Sequence, residues 1–249
     1  MSSFLAALKS ETTKLLTLRS TLVYFILLGG SIGGPVFLYL AFATEKNAVT
    51  WTDLLMGGMI TQMIAVIFGA SSTAGEIASK MHAQAFLTER SRWNWLGARA
   101  VVSVVFLAVT VAIAVALTIL MVTVWPGAEF KPEQGVSLAT TFGGVLAFAL
   151  LAIGIAAIVR SRVAAVGLPL VWMLVIEPLI MSVGSNVSLL KTLAKFLPAR
   201  TMQDIDRWYL IPERGADFLT PTFSVTVLAI WVIALLVLGF WRNSRVDVR

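Results

Sequence analysis

The 249-residue sequence has no cysteine and a single histidine, His82. The first absence excludes disulfides and thiolate metal sites. The second excludes a structural zinc, which needs several ligands; His82 itself reads as part of a cytoplasmic helix. Charge is scarce too, at 13% of residues, against about a quarter in soluble domains. No G-x-x-x-x-G-K-S/T phosphate loop, no H-E-x-x-H and no Ser-His-Asp set occurs, and intramembrane paired acids are missing. The chain therefore reads as a non-enzyme with no catalytic residue, no metal site and no cofactor of its own. The first 20 residues lack the short apolar core and small-residue cleavage site of a removable signal.

What fills the sequence instead is apolar: 58% hydrophobic residues and a mean hydropathy of +0.89. About 20 consecutive apolar residues are enough to cross a bilayer as a helix. Six such segments are expected, at about 21–42, 54–74, 100–125, 136–159, 163–183 and 223–241. The expected fold is all-α, a single polytopic transmembrane domain over 1–249 with no separate soluble domain. Residues 1–20 read as an amphipathic interfacial helix: Phe4, Leu5, Leu8, Thr12, Leu15 and Leu16 form the apolar stripe, with Lys9, Lys14 and Arg19 mostly off it. Between spans five and six, 185–210 is too charged to span and carries the stripe Val187, Leu190, Leu193, Ala194, Leu197. It reads as short outer helices, the first ended by Pro198 and a second from about Thr201 to Tyr209.

The net charge of +6 fits the excess of Lys and Arg in cytoplasmic loops better than it fits nucleic acid. Most basic residues fall on the side that holds both termini, the 75–99 stretch and the Arg160–Arg162 turn, so both termini are expected to be cytoplasmic. The 75–99 stretch is the longest inner loop. It carries Glu76, Lys80, His82, Arg90, Arg92 and Arg99, and reads as the surface on which a soluble partner acts.

Two features lie within the apolar segments. In span one, Gly29-Gly30 and Gly33-Gly34-Pro35 give overlapping small-x-x-x-small pairs, read first as internal packing, and Pro35 frees a carbonyl near Ser31. In span five, Glu177 lies about 21 Å along the helix at 1.5 Å per residue, next to Pro178. Intramembrane acids face a protein interior or a wet cavity. Trp172, Glu177, Pro178, Gly33 and Gly34 are the candidate substrate pathway or gate residues; a neutral Glu177 making an interhelical hydrogen bond is the alternative.

The layout resembles the membrane subunit of type-2 ABC exporters, the permease family that includes antibiotic-efflux and bacteriocin-immunity transporters. The resemblance rests on the order of an N-terminal interfacial helix, six spans, a coupling helix between spans two and three, and outer helices between spans five and six. Locally it rests on Glu76, Ser91-Arg92 and Arg99, and on the start SETTKLLTLRS with Glu11, Lys14 and Arg19. Where that family commonly shows a Gly-Thr pair, this chain reads His82-Ala83-Gln84. The resemblance implies a homodimer of permeases in a bacterial inner membrane, coupled through 75–99 to two copies of a separate ATPase subunit that binds ATP and Mg. The substrate would be apolar or amphipathic: a drug, an antimicrobial peptide or a lipid. Two alternatives from other classes stay open, an ion-coupled secondary transporter using Glu177 and a membrane sensor or anchor for a cytoplasmic partner.

Overall fold

The computed structural model describes residues 3–43, 48–79, 92–159, 161–184, 187–211 and 219–245. The described residues form helices and no strand, with one isolated bridge between Val49 and Phe130. Six helical stretches are long and apolar enough to cross a membrane, so this is a multi-pass membrane protein. The spans are α2 (Arg19–Phe42), α4 (Gly58–Ala78), α5 (Arg92–Val124), α6 (Val136–Val159), the stretch Arg162–Gly184 and α11 (Pro221–Arg245). An even number of spans puts both ends of the chain on one side, here termed the terminal face; the other is the distal face.

The centre of the bundle is α6, apolar over its whole circumference, as a helix covered on all sides must be. It packs on α4, α11, α5 and the fifth span. Two close backbone approaches occur at glycines: a β-carbon at Gly154 would come within 2.7 Å of the Leu235 carbonyl carbon on α11, and one at Gly69 within 2.7 Å of the Ala149 oxygen. Small residues let helix backbones approach where lipid offers no hydrophobic drive for association. The first span packs on α5 and α4, and the fifth span packs on α4 and α6 from the other side.

The α4 helix begins against a defect in α2. Pro35 lacks an N–H for the Ser31 carbonyl, and a β-carbon on Gly57, the residue before α4, would collide with that Ser31 oxygen. Ser31 Oγ also meets Thr61 Oγ1 at 2.8 Å. The freed carbonyl expected near Ser31 is thus where the second span docks. The other glycines of α2 behave differently from the internal-packing expectation: a β-carbon at Gly29, Gly30 or Gly34 would meet nothing, and only Gly33 lies against a neighbour, Thr118.

The amphipathic helix α1 (Ser3–Thr17) lies along α5 and breaks from α2 at the extended residue Leu18. Its buried line is Ala7, Glu11 and Leu15, while Phe4, Leu5 and Leu16 are exposed. The apolar stripe read from the sequence is therefore largely the face turned out from the bundle, and Glu11 is turned in.

Several boundaries differ from expectation. The third span begins at Arg92, not Ala100, and its 33 residues extend about 50 Å, longer than a hydrocarbon core of about 30 Å. The second span continues to Ala78. The stretch between them thereby shortens from 75–99 to 79–91, of which 80–91 lies outside the described residues. The fifth span is also composite: α7 (Arg162–Val171), a π-turn at Trp172–Ile176 and α8 (Glu177–Gly184). The Glu177 N–H donates to the Trp172 carbonyl, five residues back. The wider turn accommodates Pro178, whose ring would strike the carbonyl four residues earlier in an α-helix.

On the distal face, a four-residue helix α3 (Trp51–Leu54) is capped by Thr50 and Asp53 and joined to the opposite loop through Val49 N–H to the Glu129 carbonyl at 2.8 Å. Two helices follow the fifth span, α9 (Ser188–Ala194) and α10 (Pro198–Leu210). Pro198 opens the second helix at its first position rather than merely ending the first, because the missing N–H there has no helical acceptor to lose. With Pro198, Ala199, Thr201, Met202, Asp204 and Ile205 buried, α10 packs against α6 and α11 rather than lying free on the surface.

Candidate functional site

The first site is at the terminal face, where α1, α4 and α5 converge. Arg99 Nη1 donates to Glu11 Oε2 at 2.8 Å and to Glu76 Oε1 at 2.9 Å. Lys14 Nζ reaches Glu11 Oε1 at 2.6 Å and Glu76 Oε2 at 3.2 Å. Trp95 Nε1 donates to Glu76 Oε2 at 3.1 Å. Two carboxylates thus share two cations, with Glu11, Glu76 and Arg99 buried. Such charges need mutual pairing to leave water. Burial acts against the Lys14 ammonium, but the hydrogen bonds and charges of Glu11 and Glu76 outweigh it and raise its pKa above the ordinary 10.5. Arg99 Nε has no hydrogen-bond partner among the described residues.

The helical repeat explains the convergence. Trp95 and Arg99 are four residues apart on α5 and share a face. Glu76 comes from the last turn of α4, and Glu11 from the inner line of α1. Of the residues read as coupling candidates, Glu76 and Arg99 are thus brought together, joined by Lys14 from the interfacial set. Lys9 and Arg19 stand exposed, away from the cluster. Lys80, His82 and Arg90 lie outside the described residues; Arg92 heads α5, and its side chain lies outside them too. Glu11 was legible only as part of a motif, and Trp95 only as an interfacial aromatic; neither position signals an ion pair without the fold.

The second site lies toward the distal face, around Glu177. The carboxyl is fully buried, and its Oε2 accepts from the Ala199 N–H at 2.9 Å and the Arg200 N–H at 3.2 Å. These are the first free amides of α10, which Leu197 cannot cap with a side chain. Glu177 thus caps a helix 22 residues further along the chain, where the helix dipole favours negative charge. The Trp172 side chain is close enough to interact with the carboxyl, but Oε1 has no partner in hydrogen-bond geometry among the described residues.

Beside Glu177 opens a pocket of about 210 Å³, with Gln62, Thr140, Thr141, Gln203 and Asp206 among its polar walls and Met59, Met173, Met181 and Met202 among its apolar ones. Asp206 accepts a short hydrogen bond from the Thr140 hydroxyl. Burial pushes the Asp206 carboxyl above its ordinary pKa, against the opposing effect of that bond. A second pocket of about 240 Å³, almost wholly apolar, lies between spans two, four, five and six; Pro169, Trp172, Met173, Pro198 and Trp231 help to line it. Met173 is common to both walls.

The gate candidates therefore separate. Glu177 and Pro178 line the polar pocket, Trp172 lines the apolar one, and Gly33 and Gly34 line an open groove between α2 and α5. Asp206 was not singled out from the sequence; its place one helical turn from Met202 on the inner face of α10 becomes visible only once that helix is docked. The described residues contain no group of three or more His, Cys, Asp or Glu placed to hold a metal ion.

No curated protein matches the chain in sequence. A family model does match it, over residues 21–249, which covers all six spans and both sites except α1. The chain belongs to that family, described as protein of unknown function (DUF2705).

Proposed function

We propose that this chain is the permease subunit of an ATP-driven exporter, with ATP hydrolysed by a separate soluble subunit and an apolar or amphipathic substrate moved out of the cytoplasmic membrane. The observation that carries this reading is the ion cluster of Glu11, Lys14, Glu76 and Arg99. It fastens the interfacial helix α1 to the ends of the two spans that frame 79–91. A soluble partner seated on that stretch would push on three elements together instead of on one loose loop. The almost wholly apolar pocket bordered by Pro169, Trp172 and Trp231 favours an apolar or amphipathic cargo. Two copies of the chain, in a bacterial inner membrane with both termini cytoplasmic, would work with two ATPase subunits.

The test is purification of the chain from its native membrane under mild detergent, with an ATPase assay of what accompanies it. A soluble ATPase is expected to co-purify, and Lys80→Glu with Arg90→Glu, which change none of Glu11, Lys14, Glu76 and Arg99, to release it. Reversal of Glu76 is a poorer probe, because the structure makes Glu76 part of the fold. Absence of any ATPase overturns the reading. The ion-coupled alternative gains its support from the buried Glu177; transport that follows a proton gradient and ignores ATP would establish it.

A further inference from the structure

We infer that the polar pocket at Glu177 and the apolar pocket across Met173 together form a binding site for an amphiphilic organic cation, a protonated amine on an apolar body. The inference deepens the proposed function by naming a substrate class, and it rests on that reading only for the claim that the bound molecule is transported.

The chemistry follows from the walls. Glu177 is fully buried and lines the polar pocket, and its Oε1 has no partner in hydrogen-bond geometry among the described residues, although the Trp172 side chain lies close by. Asp206, half-buried, lines the same pocket. The described ion pairs of α10 join Arg200 and Arg207 to Asp204, not to Asp206 or Glu177. Two carboxyl groups without a basic side-chain partner among the described residues therefore line one pocket, with the amide of Gln62 and the hydroxyl of Thr141 as further acceptors. An ammonium offers three donors and one positive charge. An anion would meet carboxylates, and the described residues hold no group of three or more His, Cys, Asp or Glu placed for a metal ion.

The second half of the argument is the neighbour. Met173 separates the polar pocket from an apolar one of similar size, bordered by Trp172 and Trp231. Methionine is unbranched and flexible, so this wall can yield to a molecule with its head on one side and its body on the other. Pro198 lines the apolar pocket and Ala199 the polar one, so the start of α10 borders both. A bound amine therefore touches the helix that Glu177 holds in place.

The experiment is equilibrium binding of tritiated dodecylamine to the full chain in nanodiscs, corrected with empty nanodiscs. N-dodecylacetamide and laurate, of equal chain length, serve as neutral and anionic controls. Saturable binding is expected for the amine alone. Glu177→Gln keeps an acceptor for the α10 amides and removes the charge; Asp206→Asn does the same at a less buried position. Each is expected to weaken amine binding by about tenfold, the difference between a charge-assisted and a neutral hydrogen bond, with thermal melting unchanged for at least Asp206→Asn. Equal binding of the acetamide, preference for laurate, or wild-type affinity in Asp206→Asn overturns the site. Amine binding without a co-purifying ATPase would sustain the site and sink the exporter reading; an ATPase partner without amine binding would do the reverse.

Discussion

At the scale of single residues, Arg99 decides the terminal-face cluster, because it is the buried cation between two buried carboxylates. Removing one member of such a set leaves an uncompensated charge, whereas replacing the whole set by apolar groups is often neutral. Arg99→Met is therefore expected to destabilise the protein by about 3–5 kcal/mol, read as a lower melting temperature in detergent. Combining it with Lys14→Met, Glu11→Leu and Glu76→Leu should recover most of that loss. A quadruple variant no better than the single one would mean that the carboxylates are held by something other than Arg99 and Lys14. Lys14 adds a pH dependence. Its pKa is raised in the folded state, so its stabilising contribution is complete below the unfolded value of 10.5 and is lost as pH rises through the folded value. Wild type should lose melting temperature more steeply above pH 10.5 than Lys14→Met does; parallel curves would deny Lys14 that role.

At the scale of elements, the joint between α2 and α4 depends on Gly57 because Pro35 has left the Ser31 carbonyl where a β-carbon would go. Gly57→Ala should cost about 1–3 kcal/mol, as overpacking does, and the same change at Gly30, where a β-carbon meets nothing, should be close to neutral. Thermal melting of the pair checks this; equal effects would mean that the close approach at Gly57 carries no weight. The contrast also marks what could be read from the sequence. Hydropathy placed all six spans, because lipid forces every backbone group to be satisfied within a helix. The freed carbonyl at Ser31 followed from Pro35 alone. Which glycine used it did not, since Gly29, Gly30, Gly33, Gly34 and Gly57 look alike in a string and differ only in their neighbours. The start of the third span was misplaced for a related reason: Trp93 to Arg99 is polar enough to read as a loop, yet it continues the helix because Trp95 and Arg99 find partners on α1 and α4. The Glu177 site was half legible. The lone intramembrane acid and Pro178 pointed to a break, but the carboxyl's partners are amides 22 and 23 residues away, and no spacing rule reaches that far.

At the scale of the whole molecule, the two sites lie at opposite ends of the bundle, and the side each faces decides what it can do. An ATPase can act on the Glu76 cluster only from the cytoplasm, and α10 then lies outside. On the proposed function the terminal face is cytoplasmic, in keeping with its excess of Lys and Arg, and the absence of cysteine makes that proposal directly measurable. Lys9 on α1 and Tyr209 at the end of α10 are both exposed. Single-cysteine chains carrying Lys9→Cys or Tyr209→Cys, each treated with a membrane-impermeant maleimide, should label oppositely. Tyr209→Cys is expected to react in intact cells or spheroplasts, and Lys9→Cys only after the membrane is opened. The reverse pattern would place the ion cluster outside, remove any route for a cytoplasmic ATPase to reach it, and turn the polar pocket at Glu177 toward the cytoplasm as a point of entry. Labelling of both from one side would contradict the six-span count itself, since an even number of crossings with α10 between spans five and six puts α1 and α10 on opposite sides.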